Sequence, residues 1–232
     1  MTVMAPPVLL SERLRMPVSV ALPAMMRRFA KLWSQPNLDV VYLEWIRVLH
    51  ATIVATEPLM LEALDQCLRR WSDPVAVRIG RYLSKHIKEE FGHDLWLRED
   101  YAACGGDVTD LDALPSVGAT QLVGAQYYLI RHVHPCALLG YIAILEGYPP
   151  SPQLAPYLAE RTGFPENGFS CLARHSVLDV KHRDEFVTAL DGFGLSAEQE
   201  RIVSYSALNT IAAICDLVDE TMVKTNGRVG GV

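Results

Sequence analysis

Apolar residues recur at intervals of three and four along most of the chain, and short alternating β-branched runs never follow one another between turns. The pattern therefore predicts helices and no sheet. The first long helical stretch begins near Asn37 and runs to about Arg70, with a kink or break at Pro58. Ser72-Asp73-Pro74 supplies an N-cap and a first-turn proline for a second, which closes at Cys104-Gly105-Gly106. A third runs from about Gly118 to Glu146, bent at Pro135, until Gly147-Tyr148-Pro149-Pro150 stops it. A short helix from about Pro152 to Arg161 and a longer one from about Glu166 to Leu190 follow. A last helix, opened by the capping box Ser196-x-x-Gln199 and reaching about Lys224, completes an all-α bundle of about seven helices. Residues 1–36 read as an extension with a short helix, 37–225 as one domain, and 226–232 as a tail that frays.

The 232 residues are 50% hydrophobic and 21% charged, enough to bury one substantial core. A net charge of −6 with no run of Lys or Arg argues against a nucleic-acid partner. Cys67, Cys104, Cys136, Cys171 and Cys215 form no C-x-x-C pair, which fits neither a disulfide framework nor a zinc ribbon and leads us to expect a reducing cytoplasm. The first residues lack a basic n-region, and no run approaches the roughly 20 uninterrupted apolar residues of a span. Neither a signal peptide nor a membrane partner is expected; a homodimer is compatible with the sequence.

The chemistry is concentrated in a few polar positions. In His175-x-x-x-Asp179-x-x-His182 the offsets 0, 4 and 7 fall on one stripe of a helix, so two imidazoles and a carboxylate converge. Glu90-x-x-His93 has the i, i+3 spacing by which helical bundles bring Glu and His to one metal centre. Glu57 is the only ionisable group between His50 and Glu62, and Glu146 ends the apolar run that starts at Ala137; a carboxylate in such surroundings needs a cation or hydrogen-bond donors. His86, one turn before Glu90, reads first as a surface histidine, with a metal ligand or a donor to a metal-bound carboxylate as alternatives. Imidazole and carboxylate suit iron and manganese, whereas zinc more often draws on cysteine.

A carboxylate from one helix, Glu-x-x-His from the next, a carboxylate from a third and His-x-x-x-Asp-x-x-His from a fourth resemble the heme-oxygenase-like di-iron oxidases and oxygenases, over about residues 37–225. Their fold is shared with heme oxygenase, thiaminase II and pyrroloquinoline-quinone synthase. The resemblance implies that Glu57, Glu90, His93, Glu146, His175, Asp179 and His182 bind two iron ions per chain, with manganese as a substitute and O2 as co-substrate. It further implies an electron donor and a peroxo-diferric species that oxidises a small organic metabolite by N-oxygenation or by C–C or C–H cleavage. An amino-acid-like or nitrogen-containing substrate is favoured over a long acyl chain, with Tyr127, Tyr128, Arg131, His132 and His134 as candidate anchors. The rival readings are a cofactor-independent enzyme like thiaminase II, which needs a cysteine nucleophile, and a non-catalytic metal-binding protein. A heme-degrading enzyme would need a histidine near the start of the first helix, and residues 1–40 contain none.

Overall fold

A computed structural model describes residues 8–229. It is all-α, with ten α-helices and two short 3-10 turns among the described residues. The helices are α1 (Leu10–Trp33), α2 (Leu38–Ile53), α3 (Thr56–Arg69), α4 (Pro74–Glu90), α5 (His93–Ala103), α6 (Val117–His132), α7 (Ala137–Leu145), α8 (Leu154–Thr162), α9 (Ser170–Gly192) and α10 (Ala197–Val229).

The count exceeds seven because three stretches with a continuous apolar pattern are each cut in two. Proline cuts two of them. Pro58 has no N–H for the carbonyl of Val54 and its ring crowds that oxygen, so the chain breaks at Val54–Ala55 and Pro58 falls in the first turn of α3. Pro135 likewise turns a bend into a full break between α6 and α7. The third cut, at Phe91–Gly92, is made by Gly92 in the left-handed region at φ 82°, which ends α4 at Glu90 and starts α5 at His93.

The predicted caps form. Asp73 accepts from Val75 N at 2.8 Å with Pro74 opening α4, and Ser196 and Gln199 exchange the two bonds of a capping box. The N-terminal segment differs from the expected short helix. α1 runs for 24 residues despite Pro17 and Pro23, and its buried stripe of Leu10, Leu14, Val18, Met25 and Leu32 packs along α10. Bonds from Ser11 N and Oγ to Asp191, and the Arg28–Asp219 pair, tie it to α9 and α10. At the other end α10 remains helical to Val229 where a fraying tail is expected; residues 1–7 and 230–232 lie outside the described residues.

The centre of the bundle is the packing of α7 on α10. α7 is apolar on all sides, with Ala137 to Ile142 and Ile144 buried. It crosses α10 so closely that a Cβ on Gly140 would lie 2.3 Å from the Val203 carbonyl oxygen and 2.6 Å from Ala207 N. Among the described residues only α10 is long and apolar enough to cross a membrane; half of that window is buried inside the fold, against α7, α1, α6 and α2, as befits a central bundle helix. All five cysteines are free and buried.

Candidate metal centre

Four helix segments bring the ligand candidates together: the last turn of α4, the first residue of α5, the end of α7 and the middle of α9. Glu90 and His93 do not share a helix, as the i, i+3 reading assumed. They flank the break at Gly92, and the reversal still places Glu90 Oε2 3.1 Å from His93 Nδ1. That contact is close enough to attract, but its angle makes no hydrogen bond. The other oxygen of Glu90 lies 3.4 Å from His182 Nδ1. Glu90 therefore sits between two sets of ligands.

On one side stand His93, His175 and Asp179. The rings of His93 and His175 are 5.1 Å apart, and His175 Nδ1 bonds Asp179 Oδ1 at 2.9 Å. On the other side are His86, Glu146 and His182. His86 Nε2 bonds Glu146 Oε1 at 2.8 Å, His182 Nδ1 is 3.8 Å from Glu146 Oε2, and a ligand atom from each of the three lies within 4.8 Å of the others. His86, expected at the surface, is only 2% exposed. Its place one turn before Glu90 on α4 was the sequence signal for this, and burial of the α4 stripe makes it a member of the site.

Burial and mutual charge set the protonation of these groups. Glu146 is pushed up to about 6 by burial, against the opposing bond from His86. Burial also opposes ionisation of Glu90, yet His93, His86 and His175 outweigh it and hold this carboxyl below its ordinary range. For His175, burial is overcome chiefly by the bond to Asp179, and the imidazole is pushed up to about 10. Glu146 and Glu89 raise His86 in spite of burial, while His182 is lowered by burial.

The cluster is incompletely satisfied by its own members. Glu90 Oε1, Glu146 Oε2, His93 Nδ1, His175 Nε2 and His182 Nδ1 are all buried without a hydrogen-bond partner. Such atoms are rare in folded proteins and costly, and here they gather in one place and all can offer a lone pair. The donor set of imidazoles and carboxylates, without thiolate, fits iron or manganese.

Glu57 stands apart. It is half-buried in the first turn of α3 and makes no hydrogen bond or ion pair among the described residues.

A cleft of about 720 Å³ opens the cluster to the surface between α4, α5 and α9, with His93 and His182 in its wall. The side chains expected to anchor a substrate do not line it. Arg131 is paired with Glu62 at 2.7 Å and lies over Tyr127, Tyr128 is exposed beside His132, and His134 is taken up by Asp73 and by Cys136 N. Trp96 and Arg174 occupy the cleft instead. Neither had a sequence signal, because an exposed Arg and a half-buried Trp are common on any helix.

The family described as "Iron-containing redox enzyme" matches residues 50–213. No curated protein sequence matches the chain. Among solved structures, a domain of unknown function with a heme oxygenase-like fold from Shewanella denitrificans OS217 superposes with a TM-score of 0.74 at 16% identity, covering 98% of this chain and 97% of that one. A TenA homolog from Pseudomonas syringae pv. tomato str. DC3000 superposes with a TM-score of 0.70 at 14% identity, covering 90% and 92%. The fold is thus heme oxygenase-like, as the ligand order implied.

Proposed function

Since the chain belongs to the iron-containing redox enzyme family, we propose that its buried cluster holds two iron ions and that the protein is an O2-dependent oxidase or oxygenase of a small organic metabolite. The observation that carries this reading is the pair of imidazole–carboxylate sets on either side of Glu90, with unpartnered buried atoms in both. On this reading His93, His175 and Asp179 hold one ion, His86, Glu146 and His182 the other, and Glu90 serves both. Glu57 completes the carboxylates by turning inward from α3 when metal is present. Bound iron supplies the capacity to reduce O2 and oxidise a neighbouring molecule; the protein's share is to position that molecule and limit water.

The chain's own residues prepare the site. The His86–Glu146 bond fixes one carboxylate oxygen and leaves the other unpartnered. The His175–Asp179 bond, four residues apart on α9, holds both groups in register before any ion arrives. Tyr82 stacks on His86 at 5.2 Å and Trp96 on His93 at 4.0 Å, which limits the swing of these two rings.

Anaerobic titration with Fe(II), read by metal analysis after desalting, should give two ions per chain. His86→Ala, Glu90→Ala and His182→Ala should each lower that number and abolish O2 consumption, and Glu57→Gln should lower it with the fold intact. Full metal content in His86→Ala would remove His86 from the set. Substrate-dependent turnover by metal-free protein would replace the whole reading with a cofactor-independent one.

A further inference from the structure

The cleft beside the cluster carries a cation that touches no carboxylate. Arg174 lies with its guanidinium carbon 4.6 Å from the centre of the Trp96 ring, and Trp96 is itself stacked on His93 at 4.0 Å and 27°. His93, Trp96 and Arg174 thus form one packed group of imidazole, indole and guanidinium on the cleft wall. Apart from Trp96, Arg174 meets no ion-pair or hydrogen-bond partner among the described residues. The buried carboxylate that senses its charge, Asp100, already accepts from Ser170 and Cys171.

The other charges of the cleft are committed. Lys181 faces Glu89 at 3.7 Å and Glu185 at 3.5 Å, and Glu89 also meets Lys85 and His86 Nδ1. Arg174 is therefore the cation of this cleft left to meet an outside anion. Stacking on Trp96 holds the guanidinium plane, which lowers the ordering cost of a two-bond contact with a planar oxyanion. Val177 and Leu178, the next turn of α9, give the same wall an apolar surface.

We propose that Arg174 is a specificity-determining residue that binds the carboxylate of an acid substrate, whose hydrocarbon lies along Trp96, Val177 and Leu178 and whose far end reaches the cluster beside His93. This rests on the cluster being the reaction centre. A single uncommitted guanidinium matches one negative charge and a planar group better than a phosphate dianion. The two stacking intervals, 4.0 and 4.6 Å, put an upper bound on the distance from His93 to the guanidinium, and a chain of about six to eight bonds is long enough to span it.

The test is a ligand-observed NMR titration of metal-free protein with straight-chain acids of four to ten carbons, L-norleucine, and the amide, amine and phosphate ester matching the six-carbon acid. Metal-free protein is used so that no ligand can bind directly to an ion. The acids should bind about tenfold more tightly than the amide. That preference should vanish in Arg174→Gln, return in part in Arg174→Lys, and persist in Arg131→Gln, which alters a cation outside the cleft. Arg174 is exposed, so the variant should fold, and an unchanged melting temperature and Fe(II) stoichiometry would show that it has. The same preference in Arg174→Gln, tighter binding of the amine or phosphate ester, or no saturable binding of any acid would overturn the proposal. If wild type takes up no iron but keeps an Arg174-dependent preference for acids, the metal reading fails while the anion site stands. If iron binds with the expected stoichiometry and the preference ignores Arg174, the reverse holds.

Discussion

Asp100 offers the sharpest test of how the ligand helix is held. It is fully buried on α5, and its oxygens accept from Ser170 N at 3.1 Å, from Cys171 N at 2.9 Å and from the Ser170 hydroxyl. These are the first N–H groups of α9, so a side chain from the neighbouring helix caps the element that carries His175, Asp179 and His182. Removing such a cap costs about 1–2 kcal/mol, and each buried bond to a charged acceptor is worth about 1.5–3 kcal/mol. Burial pushes the Asp100 carboxyl up even with those bonds in place, so loss of the carboxylate also relieves desolvation. The net expectation for Asp100→Ala is therefore near the low end, about 3 kcal/mol, or roughly 6–12 °C in melting temperature for a chain of this size.

The sign with pH follows from that upward shift. A carboxyl raised in the folded state favours folding while it is protonated, and this contribution is lost as pH rises through the folded value. The gap between wild type and Asp100→Asn should thus narrow from acid toward neutral pH. Thermal melts at several pH values, with hydrogen exchange over residues 170–182, provide the readout. A drop of less than about 2 °C for Asp100→Ala, with unaltered exchange in that segment, would refute the capping argument.

Other consequences can be checked on the same protein. Anaerobic Fe(II) or Mn(II) should raise the melting temperature and protect α9 most in hydrogen exchange, since that helix supplies three of the proposed ligands; no change in either would leave the cluster a polar network. Metal affinity should climb about tenfold per pH unit for each proton released, with Glu146 clearing its proton near 6 and His175 doing so only toward 10; an affinity flat across that range would contradict the assignment. In metal-free protein the raised His175 adds stability that is full below its ordinary value near 6.5 and fades as pH rises toward 10, a trend that Asp179→Asn should flatten in urea titrations. Gly140→Ala should destabilise by about 3 kcal/mol or more, because its Cβ would meet backbone atoms of α10 that cannot move aside.

The sequence made the helices readable wherever a cap or a long apolar stripe marked them, as at Asp73, Ser196 and residues 170–192. Pro58 marked one break, but whether a proline kinks or cuts a helix was harder to read, because periodicity continues across it: Ile53 and Leu59 still fall on core-facing positions on either side of the cut. The stripe of His175, Asp179 and His182 was legible because a helix converts offsets into one face without help from the rest of the fold. His86 was only half legible: its place one turn before Glu90 raised it as a candidate, but its bond to Glu146 from α7 is a pairing across 60 residues that spacing does not encode. The expected substrate anchors on α6 and just after it failed for a related reason: Glu62 and Asp73, distant in sequence, had already engaged Arg131 and His134.

The middle of α9 presents two surfaces with different duties. Arg174, Val177, Leu178 and Lys181 line the cleft, while His175 and Asp179 turn toward the cluster and His182 touches both. Substitution on the cleft side can reshape what enters without moving a ligand. Insertion or deletion cannot, because one residue added before His175 rotates everything after it by about 100° and exchanges the two surfaces. Diversification of this helix is therefore confined to point replacements within a fixed length, and length variation, where it occurs among related chains, should fall outside residues 170–182 or come in whole turns.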